Sequence, residues 1–548
     1  MPDEKNKKVF VLIFIFSVVI NLPFLFQAFH IDDPLSIYLA KQIIQNPANP
    51  YDFELVNNGV LQKFYRFYAN PPFNGYMLSL MIRLLGDHEM PLHLFHLAYT
   101  FFIGVFMFLI SMKFLKDFKF AISSTILLLI SPAVFVMNHT IMPDIPLLCF
   151  YLAAIYFFLE AEDRTYFYSI SGIFAAMACL TRYTGLTLIP IFLFCSFLKP
   201  RYRVPMSLLA TIIPLIAFEF WYHWSLDLYS SNYWAHIVSF ETAQNRILRI
   251  GTHFLANIVY LGGSAIFPIS LFFPAVMLNI KKSRILILIS GLIAMYSAIF
   301  LYKNCAHTLA QAMLVFIFVF CIISFLIMAF GHLKIWFNHR SQNILLLFWI
   351  ILLVCFNSFF LHTAVKYNLL EIPPLILIFT IIVKNLLHDR SIHFLALTIA
   401  LTGVLAGFIA IGDTILADTY RDFAKKIYFL YKKENNQVYY TGHWGWEYYL
   451  KKLNAKPILV LGTNKLNKED IIIVPSIPWP QPLPLNIRQR IKLLKRVDVN
   501  SRFPVRTMNG LAKAFFYANY NFPNYTGVLP YSFSSKAPVE SFYILEVQ

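Results

Sequence analysis

The stretch VFVLIFIFSVVINLPFLFQAFHIDDP, Val9 to Pro34, decides how the rest of the chain is read. From Val9 to Ala28 it is almost wholly apolar and matches the roughly 20 residues that cross a bilayer as a helix. Straight after it stand two adjacent carboxylates, Asp32 and Asp33, at a membrane edge where an ionisable group is costly and calls for an explanation. No small-residue cleavage site follows the apolar run, so it is expected to be a retained helix and not a removed signal.

Similar runs recur as far as Ile411. Across 548 residues, 58% are apolar and 13% charged, which excludes a string of soluble domains. An α-helical polytopic membrane protein of about 13 spans is expected, the last over Phe394–Ile411. Phe167–Leu180 and Gly185–Leu198 are short for a full crossing. Lys and Arg outnumber Asp and Glu by 45 to 28, a net charge of +17. On a soluble chain this would suggest nucleic acid as partner, but here topology explains it, because basic residues gather in cytoplasmic loops. With the N-terminus inside, inward connections hold Lys113, Lys116, Lys119, Arg164, Lys199, Arg201, Arg203, Lys281, Lys282, Arg284, Lys334, Arg340, Lys384 and Arg390. Outward connections after the first loop hold only Arg182, Arg246, Arg249, Lys303 and Lys366. The six cysteines lie in or beside apolar runs with no metal-ligand spacing, so neither disulfides nor structural zinc are expected.

Two regions are not read as spans. Within the outward segment 29–91, a polar, aromatic loop from His30 to Asn70 leads into Pro71–Gly86, which is apolar but too short to cross and fits an interfacial helix. After Gly412 the composition becomes soluble. Pro457–Leu461 and Ile471–Val474 look like buried strands, so residues 412–548 are expected to form an α/β domain outside a membrane module of residues 1–411.

The outward face collects ionisable side chains. Asp32, Asp33 and Asp144, the last in Met142-Pro143-Asp144-Ile145-Pro146, could meet in one cavity. There, one carboxylate would serve as general base while another orients the acceptor or holds a divalent cation. The plain alternative is helix capping. Arg66, Arg182, Lys303 and Lys366 are basic residues that sidedness does not explain, and they suit a phosphate. Aromatic residues crowd nearby: Phe64, Tyr65, Phe67 and Tyr68 in the first loop, then Tyr229, Tyr233 and Trp234. An interfacial belt accounts for most of them. His30, His139, His236 and His307 also face outward, but scattered histidines are weak metal candidates.

These motifs, in this order, resemble the multi-spanning glycosyltransferases of the GT-C type, in particular the bacterial branch near protein O-mannosyltransferases and lipid A aminoarabinose transferases. The resemblance rests on Asp32-Asp33 with Tyr38 and Ala40 in the helix that follows, Asn70-Pro71-Pro72 with Tyr76, Met142 to Leu147, Leu180-Thr181-Arg182-Tyr183-Thr184-Gly185, and Lys366-Tyr367 with Pro373-Pro374. It covers residues 1–411, and the tail in layout only. Two departures stand out. Asn70 replaces a His or Lys that many relatives place before the Pro-Pro pair, and Lys366 replaces an Arg, keeping the charge but losing the bidentate fork.

The resemblance implies a polyprenyl-phosphate-linked sugar donor in a bacterial inner membrane, with inverting transfer to a lipid A, glycan or protein acceptor in the periplasm. Asp32 would be the base, Asp33 and Asp144 its supports. Tyr38, Arg66, Arg182, Lys303, Lys366 and Tyr367 would bind substrate. No cofactor is implied beyond a divalent cation, and no nucleotide-binding Gly-rich loop is present. A polysaccharide polymerase or ligase is the nearest alternative. A secondary transporter fits less well, because the helix centres carry little charge, Glu219 and Glu371 excepted, and no repeat is visible.

Overall fold

The computed structural model describes residues 4–68, 70–197, 204–229, 243–266, 284–305, 307–331, 341–360, 362–518 and 527–548. Tyr233, Trp234, His236, Lys199, Arg201, Arg203, Lys281, Lys282, Lys334, Arg340 and the end of the span expected over Phe254–Leu278 lie outside the described residues.

The chain is a helical membrane bundle followed by a region with β-strands. Among the described residues, six helical segments are long and apolar enough to cross a membrane, not about thirteen: Lys7–Phe24, Glu89–Leu115, Val204–Ser225, Ile287–Asn304, Leu309–Phe330 and Val365–Tyr431. Part of the difference comes from breaks that hydropathy alone does not register, and part from unbroken helices that are short, such as Asp144–Glu160 with 17 residues and Leu188–Phe197 with 10. The span expected over Phe120–Met137 is two helices, Phe118–Leu129 and Pro132–Met137, because Pro132 has no N–H to donate and opens a new helix at its first position. The helix Phe167–Thr181 stops at Arg182, whose backbone is extended. Two expected spans fall in the single segment Val365–Tyr431, which is interrupted at His388 (φ 42°). Pro71–Gly86 contains the helix Phe73–Leu85, packed on the helix Asp33–Gln45.

The helix that leads out of the bundle, Ser391–Tyr431, has 41 residues. At about 1.5 Å each it is roughly 60 Å long, about twice the hydrocarbon thickness. It therefore runs unbroken past Gly412 and becomes the stalk on which the tail is built. The tail holds a five-stranded sheet in the order Lys456–Pro457, Val438–Tyr440, Ile471–Pro475, Glu540–Val547, Ile491–Val499. The first three strands are parallel and the last two pairings antiparallel. The helix Trp444–Lys452 crosses between the first two parallel strands, as a parallel pair requires a crossover. Phe423 of the stalk stacks on Phe542 of the sheet at 4.0 Å between ring centroids, with Trp446 4.7 Å from Phe542.

This packing positions the loop after the first helix. The backbone N–H of Ala28 donates to Asp418 of the stalk (3.0 Å), and that of Phe29 to the Tyr449 hydroxyl (2.8 Å). A Cβ at position 445 would lie 2.1 Å from the Phe29 carbonyl oxygen, so only glycine lets the crossover helix approach the loop this closely.

Candidate active site

A cavity of about 550 Å³ opens where the first loop, the bundle and the tail meet. Asp32, Tyr38, Arg66, Asp144, Arg182, Lys366 and Tyr367 all line it. Lys303 does not, standing exposed near the end of the helix Arg284–Asn304. Asp33 does not line it either, and is fully buried behind it.

Asp32 occupies the N-cap position of the helix Asp33–Gln45, yet its side chain makes no cap hydrogen bond. It accepts instead from the Lys366 ammonium at 2.5 Å. Asp144 is the first residue of the helix Asp144–Glu160, whose N-cap is Pro143, and it accepts from the Arg182 guanidinium. A cap hydrogen bond therefore does not explain Asp32. Tyr367 joins the two pairs: the Arg182 guanidinium carbon lies 4.5 Å from its ring centroid and the Lys366 nitrogen 5.9 Å away. The result is a continuous series, Asp32, Lys366, Tyr367, Arg182, Asp144, in which two carboxylates flank two cations on an aromatic face.

Local sequence explains each placement. Gly185 follows Arg182 in a turn so tight that a Cβ would lie 2.5 Å from the Ala178 carbonyl carbon. Lys366 and Tyr367 sit in the 3₁₀ turn Val365–Glu371. The tail anchors this turn, since the Val365 N–H donates to the Phe516 carbonyl (2.9 Å). Glu371 in the same turn accepts from the Asn357 amide (2.7 Å), a buried polar contact away from the cavity. Glu219 is exposed and paired with His223 at 2.9 Å.

Asp33 ties the two acidic loops together. It accepts from the Ile141 N–H (2.8 Å), just ahead of Asp144, and from the His30 N–H (3.1 Å). The His30 ring reaches Asp413 of the stalk (2.9 Å) and the Tyr517 hydroxyl (3.1 Å), and Asp413 also accepts from Tyr517 (2.6 Å) and Thr507 (2.8 Å). Burial alone would lower the His30 pKa; the Asp413 and Asp33 carboxylates outweigh it and raise it to about 10. This network holds Ile31 at φ 50°, a left-handed backbone that a β-branched residue rarely adopts. Strain of this kind persists only where the surroundings over-determine it, here directly beside Asp32.

Several lining residues were not singled out from sequence: Asn57, Asn58, His362, His443, Trp444, Glu447 and Trp479. His362 lies four residues before Lys366; burial, then Lys366, lowers its pKa to about 4. Tyr68 also lines the cavity, and burial raises its hydroxyl to about 12. Among the described residues, no group of three or more His, Cys, Asp or Glu could hold a metal ion. Each cavity carboxylate of the membrane side already faces a cation, an arrangement that does not fit a divalent ion.

Comparison with known proteins gives one partial family match and several similar solved structures. Residues 69–224 match the family model described as dolichyl-phosphate-mannose-protein mannosyltransferase. No curated protein matches the sequence. Among solved structures, the chain is similar to the *S. cerevisiae* protein O-mannosyltransferase Pmt1-Pmt2 complex bound to the sugar donor (16% identity, 41% of this chain and 34% of that one, TM-score 0.34). It is similar also to the *Archaeoglobus fulgidus* oligosaccharyltransferase tethered with an acceptor peptide (14% identity, 83% and 64%, TM-score 0.47). A third is ArnT from *Cupriavidus metallidurans* bound to undecaprenyl phosphate (11% identity, 86% and 92%, TM-score 0.39). The matched region thus spans about a third of the yeast chain's length and 64% of the archaeal one's. The family match includes Asp144 and Arg182 and ends before Lys366.

Proposed function

We propose that this protein is a GT-C type membrane glycosyltransferase that moves a sugar from a polyprenyl-phosphate donor to an acceptor on the outer side of the membrane, with inversion. The observation that carries this reading is the series Asp32, Lys366, Tyr367, Arg182, Asp144 in one cavity. The family match over residues 69–224 supports it.

In this reading, Lys366, Arg182 and Arg66 receive the donor phosphate, since paired cations at a membrane surface are what a lipid phosphate needs. A phosphate that draws Lys366 to itself competes with Asp32 for that ammonium and frees the carboxylate. Asp32 then takes the proton from the acceptor hydroxyl as the new bond to the sugar's C1 forms. The C1–oxygen bond to phosphate breaks with its electron pair leaving on the phosphate, whose charge the cations stabilise. Asp144 keeps Arg182 aimed at that phosphate. Residues 1–411 form the catalytic membrane module and the tail closes the cavity from outside.

The test is transfer itself. Purified protein in lipid nanodiscs, given a labelled polyprenyl-phosphate sugar and envelope acceptors, should release free polyprenyl phosphate. A panel of such donors left intact would reject the assignment. Orientation is tested separately. With the N-terminus inside and the tail outside, a cysteine at Asn435 should react with an impermeant label in intact cells and one at Thr165 should not, and the reverse pattern would invert the proposed topology.

A further inference from the structure

The donor reading leaves one wall of the cavity without a task. It is built by the tail and by a first-loop hairpin of the antiparallel strands Glu54–Asn57 and Val60–Lys63: His443, Trp444 and Glu447 at the start of the helix Trp444–Lys452, Trp479 from the loop after the strand Ile471–Pro475, and Asn57 with Asn58 at the hairpin tip. The hairpin is docked onto the tail, its Gly59 carbonyl accepting from the Val460 N–H at 2.7 Å.

The two indoles stand together, 6.3 Å between centroids and 34° apart. Both residues have left-handed backbones, Trp444 at φ 66° and Trp479 at φ 48°, each a strain of about 1–3 kcal/mol that the surroundings must maintain. Two hydrogen bonds maintain it: the His443 N–H donates to the Pro478 carbonyl (2.7 Å) and the Gly442 N–H to the Gln481 side chain (2.9 Å). Beside the rings, His443 Nδ1 lies 3.3 Å from a Glu447 carboxylate oxygen. His443 Nε2 is buried and makes no hydrogen bond among the described residues.

This wall differs in chemistry from the rest of the cavity. Among its described lining residues none is Lys or Arg, and the Glu447 carboxylate would repel a phosphate. A prenyl chain would cover the Glu447 carboxylate, the unbonded His443 Nε2 and the two amides without offering any of them a hydrogen bond, at a cost for each. An uncharged sugar uses all of them. Its C–H face packs on an indole, while its hydroxyls donate to Glu447 and exchange hydrogen bonds with His443, Asn57 and Asn58.

We propose that His443, Trp444, Glu447, Trp479, Asn57 and Asn58 form an acceptor subsite for an uncharged saccharide, so that the acceptor is a glycan and its hydroxyl is presented to Asp32 across the same cavity. This rests on the transferase reading and specifies its acceptor.

The experiment uses the full chain in nanodiscs and saturation-transfer NMR with three kinds of probe: neutral trisaccharides of glucose, mannose, galactose and N-acetylglucosamine, a Ser/Thr-containing peptide, and undecaprenyl phosphate. At least one trisaccharide should bind. Trp479→Ala and Glu447→Gln should each weaken it about tenfold, as removal of an anchoring contact does, with undecaprenyl phosphate binding unchanged. Glu447→Gln preserves shape, so it decides the matter if Trp479→Ala loses both ligands. The proposal fails if no trisaccharide binds, if a Ser/Thr-containing peptide binds in their place, or if Glu447→Gln binds them like the wild type. Trisaccharide binding without undecaprenyl phosphate binding would instead sink the donor assignment and leave the saccharide site standing.

Discussion

Asp32→Asn is expected to express, to bind lipid phosphate and to lose transfer by about 100- to 10,000-fold, the usual contribution of a positioned acid or base. The substitution keeps the shape of the side chain and removes its basicity. Asp32 is the acidic residue of the first loop whose side chain lines the cavity, and that side chain accepts no hydrogen bond from the helix it begins. Asp33→Asn should behave differently. Asp33 holds two backbone N–H groups from separate loops, and an amide can accept only one of them without turning its own NH₂ toward the other. The expected result is a less stable protein with a smaller loss of turnover, because the loop under Asp32 shifts. Retention of more than about a tenth of wild-type turnover by Asp32→Asn would contradict its role as base. A dead Asp33→Asn beside an active Asp32→Asn would exchange the two roles.

Arg182→Met should cost about 3–5 kcal/mol of stability, because it leaves the Asp144 carboxylate buried without its cation. Asp144 is 2% exposed, and one of its oxygens makes no hydrogen bond among the described residues. Removing both charges together, in Arg182→Met with Asp144→Asn, should recover most of that loss. Turnover should stay low in both variants, since neither can hold the phosphate through Arg182. Thermal unfolding of the wild type, the two single variants and the double variant completes the cycle. A single Arg182→Met variant as stable as the wild type would show that the pair is not structurally coupled, and that Asp144 has another partner.

How much of this could be read from sequence follows from the range over which each signal acts. Asp32, Asp144, Arg182 and Lys366 stand at helix ends that the sequence reading puts on the side where basic residues are scarce, so composition and position alone single them out. Their pairing joins residues 334 and 38 positions apart, which no periodicity encodes. Lys303 satisfies the same rule and lies exposed elsewhere, because the rule selects a side of the membrane and not a cavity. The adjacent Asp33 looks equivalent to Asp32 until its N–H partners at His30 and Ile141 are seen. Helix breaks are local but quiet: Pro132 divides an apolar run that hydropathy averages across. The tail's contribution was the least legible. His443, Trp444 and Glu447 look like part of an ordinary amphipathic helix, and the contacts of Gly445 and Tyr449 with Phe29, which bring that helix to the first loop, join residues more than 400 positions apart.

The most direct measurement of the central claim is the affinity of undecaprenyl phosphate for the wild type, Lys366→Met and Lys366→Arg in nanodiscs. Lys366 is 6% exposed and joins Asp32 to Tyr367. If the cavity holds a lipid phosphate, Lys366→Met should bind it at least about tenfold more weakly, the loss of one charge-assisted hydrogen bond of about 1.5–3 kcal/mol. Lys366→Arg should keep most of the affinity, because the charge remains. Equal affinity in all three proteins would contradict the assignment of this cavity to a polyprenyl-phosphate donor.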